Sequence, residues 1–326
     1  MLGHNERAEQ FPGASADKTA PPERSRTIQN PVIDVDLVSA LIAEQFPRWS
    51  GLPITQVLPG GWDNRTFRLG DDLSVRLPSS ASYVLQVEKE QHWLPVLAPH
   101  LPLAIPKPVA IGRPTERFPL PWSVYRWLPG RPPARDLLAD DVRFAADLGD
   151  FLAALQRADA AGGPLPGPHN FSRGDTPSVY EAETFRAIEA LGDSIDTRGA
   201  YEVWDAATSS RWQTPPVWFH GDVSEGNLLV DDDGRLAAVI DFGTSGIGDP
   251  ACDLVIGIAT FRGDAREAFR DHRALDADTW ARARGWAIWK ALIVAAGFAG
   301  SHSPESEARK ARRTIDAVLE DHRRSR

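Results

Sequence analysis

VWFHGDVSEGNLLVDDDGRLAAVIDFGTSGIGDPACDL, residues 217–254, decides the reading of the whole chain. VWF, NLLV and LAAVI are short apolar runs bounded by turn residues, which predicts three buried strands. DDDG between the last two is a turn in which Gly234 is free to take positive φ. The polar residues His220, Asp222, Asn227 and Asp241 then fall at strand ends and in the loops between strands. Side chains in such places converge on ligands instead of filling a core.

Spacing says more than composition. Asp222 is followed after four residues by Asn227, and an apolar strand then ends in Asp241-Phe242-Gly243. That order matches the phosphoryl-transfer pattern H-x-D-x-x-x-x-N followed by D-F-G. In this chemistry Asp222 accepts the proton of an attacking hydroxyl, while Asn227 and Asp241 hold magnesium against phosphates. An amide ligates a hard cation without adding negative charge, and a carboxylate neutralises the metal while leaving positions for phosphate and water. Singly, each of these residues reads as an ordinary turn, cap or loop-closing group; jointly, with apolar flanks in place, they make one site. His220 differs, reading as a residue that packs and hydrogen-bonds the loop.

HGDVSEGNLLV, IDFG and GDPACDL together resemble the aminoglycoside phosphotransferase family, a branch of the protein-kinase-like superfamily that also contains choline, homoserine, fructosamine and macrolide kinases. Gly221 favours this branch, because protein kinases carry arginine there to pair with a phosphorylated activation loop, and no A-P-E signature follows Asp241. The resemblance covers roughly residues 54–298. It implies an α+β, protein-kinase-like bilobal fold: a small β-sheet N-lobe with a helix over 31–125, a hinge at 126–130, and a larger, mainly helical catalytic and substrate-binding C-lobe over 131–326. It also implies an enzyme, a small-molecule kinase that uses Mg2+ and ATP or GTP to phosphorylate a hydroxyl of an aminoglycoside-type antibiotic. A metabolite kinase of the choline, homoserine or sugar type and a catalytically silent kinase-like binding module remain open readings.

Composition agrees with a soluble enzyme. Of 326 residues, 42% are apolar and 25% charged, as in ordinary globular proteins. The single cysteine, Cys252, excludes an intramolecular disulfide and a thiolate metal site, reads as core, and suits a cytoplasmic location. The mostly apolar run 286–298 is interrupted by Lys290 and is too short to span a bilayer, and no signal-peptide core opens the chain. A formal charge of −9 without a basic, aromatic-laced patch argues against nucleic acid. Residues 1–30 are polar, without apolar period, and predict a tail lacking regular structure. Oligomeric state is not legible.

Elsewhere the resemblance directs the assignments. Apolar residues from Val35 to Phe46 recur at three and four, predicting a helix that ends before Pro47. Residues 54–78 read as three strands with turns at Gly60-Gly61 and at Gly70-Asp71-Asp72, and the resemblance lays Gly60 and Gly61 over nucleotide phosphates. The third strand carries Arg76 where many relatives have lysine, implying a cation on the phosphates paired with a glutamate of the next helix. Glu88 and Glu90 compete for that role, and residues two apart do not share a face; Glu90 is assigned. A strand over 121–130 leads to the hinge, where the backbone of Arg126 and Leu128 is assigned to the purine edge.

Helices are further predicted over 140–158, over 179–212 with a break near Gly192, over 280–298 and over 305–319. Glu225, Asp264, Glu267 and Asp271 are assigned to the substrate, the last three because relatives place acids near there against cationic drugs. Asp253 reads as a brace for the loops through backbone N–H groups. GIGDPA, residues 246–251, fits a dinucleotide-binding G-x-G-x-x-A, but it follows a completed site and contains Pro250.

Overall fold

The computed structural model describes residues 32–326 except 59, 62, 135, 274 and 300–304. The predicted tail therefore lies outside the described residues. The first element is helix α1 (Val35–Gln45), capped by Asp34, whose carboxylate accepts the Leu37 N–H.

An antiparallel sheet follows, formed by β1 (Ile54–Gln56), β2 (Asn64–Leu69), β3 (Leu73–Pro78), β4 (Pro108–Gly112) and β5 (Trp122–Arg126), in the order β1-β2-β3-β5-β4. Alternation along β3 and β5 divides its two faces. Leu73, Val75, Leu77, Trp122 and Val124 join Val38, Leu41 and Ile42 of α1 in one apolar cluster. The intervening Arg76, Ser123 and Tyr125 face helix α2 (Val84–Leu97): Gln91 Nε2 donates to Ser123 Oγ at 2.9 Å, and the Tyr125 hydroxyl donates to Glu90. Strand period thus delivers Arg76 to the interior side.

Beyond β5 the chain is mostly helical. Asp140 caps α3 (Asp141–Arg157) by accepting the Val142 and Arg143 N–H groups, and Phe144, Leu148, Phe151 and Leu152 enter a second, larger core. Next come α4 (Glu181–Leu191) and α5 (Thr197–Thr208), separated at Gly192 as the sequence predicts. The chain ends with α6 (Val255–Ala259), α7 (Gly263–Arg273), α8 (Ala277–Ala295) and α9 (Glu305–Arg324), which runs five residues past the predicted 319. Among the described residues no helix is long and apolar enough to cross a membrane.

Two small ribbons interrupt the helices. Strand β6 (Val217–Phe219) pairs with β9 (Gly246–Gly248), and β7 (Leu228–Val230) with β8 (Leu236–Val239). Gly234 closes the β7–β8 turn at φ +73°. The dinucleotide-like GIG is therefore a strand, not a phosphate-binding turn. Its glycines answer to packing: a Cβ on Gly248 would lie 2.4 Å from the Gly174 carbonyl oxygen. The linker after β5 is tied to β7 by reciprocal Arg131 and Val230 backbone hydrogen bonds of 3.1 and 2.9 Å.

Candidate active site

The ribbons set out the catalytic stretch. The loop 220–227 joins β6 to β7, and Asp241 lies two residues past the end of β8. Gly221 sits at φ +89°, where an added Cβ would lie 2.6 Å from the Thr244 carbonyl oxygen. Backbone conformation and space both forbid a side chain at this position, arginine included.

Asp222, next in the loop, is exposed. Its orientation is set by Asn227, whose Nδ2 donates to the Asp222 carbonyl at 2.9 Å and to its Oδ2 at 3.1 Å. The Asn227 amide oxygen accepts no hydrogen bond among the described residues. Together with the Asp241 carboxylate it makes a pair of hard oxygen donors, a set that fits magnesium completed by phosphate and water.

Asp241 occupies the left-handed region at φ 67° and contacts the sheet across the cleft. Arg76 Nη2 donates to Asp241 Oδ1 at 2.7 Å, while Nη1 lies 3.4 Å from both oxygens of Glu90. Glu88, two residues earlier, is exposed. Burial disfavours the Arg76 charge, but Glu90 and Asp241 outweigh it and raise its pKa. Burial likewise pushes Asp241 up, and Arg76 overcomes this, leaving the carboxyl below its ordinary range.

Two buried groups fix the loops. His220 is fully buried; its Nδ1 accepts the Asp222 N–H at 3.2 Å, which assigns the proton to Nε2, donated to the Ile240 carbonyl at 2.9 Å. Asp253, also fully buried, accepts the His220 and Gly221 N–H groups at 2.8 and 2.7 Å.

Against this frame the remaining assignments divide. Glu225 is ion-paired to Lys310 at 2.9 Å and, with Asp222, lines a cavity of about 240 Å³. Gly60 and Gly61 line a separate cavity of about 320 Å³ with Arg65. Of the Arg126 backbone groups assigned to the purine edge, the sheet uses the N–H, donated to the Lys107 carbonyl at 2.9 Å. The Leu128 N–H has no partner among the described residues.

Asp264, Glu267 and Asp271, assigned to the substrate, lie on α7. They form the exposed face of α7, whose other face buries Ala265 and Phe269, and none of them lines the cavity beside Asp222. Their spacing is that of one solvated helix stripe.

The model of the phosphotransferase enzyme family (APH) matches residues 54–286. The chain belongs to that family. Among solved structures, the GDP and kanamycin complex of APH(2")-IIIa is similar at a TM-score of 0.66 and 20% identity, covering 87% of this chain and 98% of that one. The apoenzyme of macrolide 2'-phosphotransferase MphH from Brachybacterium faecium is similar at a TM-score of 0.58 and 22% identity, over 87% and 98% of the two chains. These likenesses establish the kinase-like bilobal fold. YcbJ of Bacillus subtilis strain 168, an uncharacterized protein, is 26% identical over 163 residues, 48% of this chain and 49% of that protein. The chain thus matches about half the length of this curated relative.

Within this phosphotransferase-family fold, sequence reasoning missed several residues. Lys89 is buried on α2 and donates to the Gly243 and Ser245 carbonyls at 2.6 and 2.8 Å, with His169 Nδ1 at 3.1 Å. Burial lowers its pKa to about 7. The signal lay in Gln86, Lys89 and Glu90, a polar set at i, i+3 and i+4 that the helix buries entirely. Arg173 carried no local signal. It follows Phe171 and Ser172, both at positive φ, donates Nε to the Gly221 carbonyl at 3.1 Å, and lies over the rings of Trp286 and Trp289.

Proposed function

We propose that this protein is a small-molecule kinase that transfers the γ-phosphate of ATP or GTP to a hydroxyl delivered to Asp222. In this reading residues 31–125 form the nucleotide-binding lobe, 126–130 the hinge and 131–326 the catalytic and substrate-binding lobe. The observation that carries it is the Asp222 carboxylate at a cavity, held by Asn227, with the Glu90–Arg76–Asp241 chain beside it.

Asp222 orients the hydroxyl and takes its proton as the oxygen attacks phosphorus. Arg76, held by two carboxylates, meets the phosphates, and the glycine turn at Gly60 and Gly61 covers them. The Leu128 backbone receives the purine edge. Asn227 and Asp241 would hold magnesium, which when bound neutralises phosphate charge. Most of the acceleration comes from positioning and charge placement. In this reading the protein works in the cytoplasm.

Kanamycin in one structural neighbour and the macrolide activity of another make antibiotics of both kinds the first acceptors to test. The acids assigned to a cationic drug lie elsewhere on α7, so geometry gives equal standing to metabolite acceptors. A panel of aminoglycosides, macrolides, choline, homoserine and sugars, with ATP or GTP and magnesium, tests the proposal by acceptor-dependent ADP or GDP release. Tight nucleotide binding without transfer to any hydroxyl compound would favour the binding-module reading.

A further inference from the structure

The cavity beside Asp222 is apolar over most of its wall. Val255 and Ile256 of α6 and Trp286, Ala291 and Val294 of α8 line it. Trp286 and Trp289 pack edge to face at 5.7 Å, and Tyr180 stacks on Trp289 at 3.9 Å, so this aromatic wall is braced from behind.

Its charges are unevenly committed. Glu225 is neutralised by Lys310. Arg173 gives its N–H groups to the Gly221 and Phe171 carbonyls and pairs with no carboxylate among the described residues. Lys290, the one cation inside the apolar stretch of α8, is exposed to the cavity and has no hydrogen bond or ion pair among the described residues. Burial and the neighbouring Arg173 charge lower its pKa, partly offset by Asp222 and Asp63. Asp222 and, on α9, Glu307 are the other acids of the lining, both exposed. Close to Asp222, then, Lys290 is a cation with no hydrogen-bond or ion-pair partner among the described residues, standing beside an apolar wall. An anionic group entering there gains Lys290 as a partner, and an apolar body gains the wall.

Resting on the reading of Asp222 as the proton acceptor, we infer that the acceptor is an amphiphile with an apolar or aromatic body against Trp286 and an anionic oxygen group held by Lys290. Lys290 acts here as a specificity-determining residue. It fixes which end of the acceptor lies deep and so which hydroxyl reaches Asp222.

The test uses three probes that share one ring and one primary alcohol: para-hydroxymethyl benzoate, benzamide and benzylamine. Binding is measured calorimetrically on the full chain with a non-hydrolysable nucleotide, and phosphoryl transfer is measured separately. Wild type binds the benzoate about tenfold more tightly than the benzylamine, with the benzamide between. Lys290→Met levels the series, Lys290→Glu reverses it, and nucleotide affinity stays constant. Tightest binding of the benzylamine, no preference for the benzoate, or an order that survives Lys290→Glu overturns the inference. Charge-ordered binding without transfer to these probes or to the acceptor panel keeps the charge preference and removes the kinase reading; transfer with inverted order does the reverse.

Discussion

Arg76 Nη2 donates to Asp241 Oδ1 at 2.7 Å, joining strand β3 to the carboxylate that follows β8. The same guanidinium contacts Glu90 through its other terminal nitrogen, so one side chain spans two acids. A lysine places one ammonium where arginine places a rigid fork. Arg76→Lys therefore raises KM for nucleotide about fivefold with a smaller effect on kcat, and Arg76→Ala lowers kcat/KM by about a hundredfold, which corresponds to about 2.7 kcal/mol. Steady-state kinetics with varied nucleotide checks both. An alanine variant with wild-type kcat/KM would take Arg76 out of the phosphate site.

Asp253 holds two consecutive backbone N–H groups of the catalytic loop from a fully buried position. Asp253→Ala leaves both donors without a partner, at a cost of about 3 kcal/mol. Urea unfolding reads the stability loss, and turnover falls with it because Asp222 lies in the same loop. Unchanged stability would show that other groups carry the loop.

Lys89 sets a pH dependence. Its pKa stands near 7 when folded and near 10.5 when unfolded, so between these values the unfolded chain binds more protons. Stability contributed through this site therefore rises with pH above about 7, by at most about 1.4 kcal/mol per pH unit. Denaturant unfolding between about pH 7 and pH 9 measures the slope, and Lys89→Met abolishes this contribution. Equal slopes in the two proteins would contradict the assignment.

The parts of the site that obey local periods were legible. Alternation in LSVRLP places Arg76 on the face opposite Leu73, Val75 and Leu77, and helical period separates Glu90 from Glu88. Asp222, Asn227 and Asp241 announced themselves because their types and spacing follow from one chemistry. What depends on chain meeting chain was not legible. Arg173 reaches the catalytic loop from a turn built on Phe171 and Ser172 at positive φ, a conformation neither residue type signals. Which face of α7 is packed was not legible either, because nearness in sequence to a substrate region does not say it. The direction of the Arg126 N–H follows from pairing with Lys107, which is invisible from β5 alone.

Replacement of Asp222 tests the central claim most directly. With an accepted hydroxyl substrate, single-turnover phosphate transfer by Asp222→Asn falls by about a thousandfold, while calorimetric affinity for magnesium–nucleotide stays within about twofold of wild type. Near-wild-type transfer in the variant would contradict the account, because a different group would then have to orient the hydroxyl and take its proton.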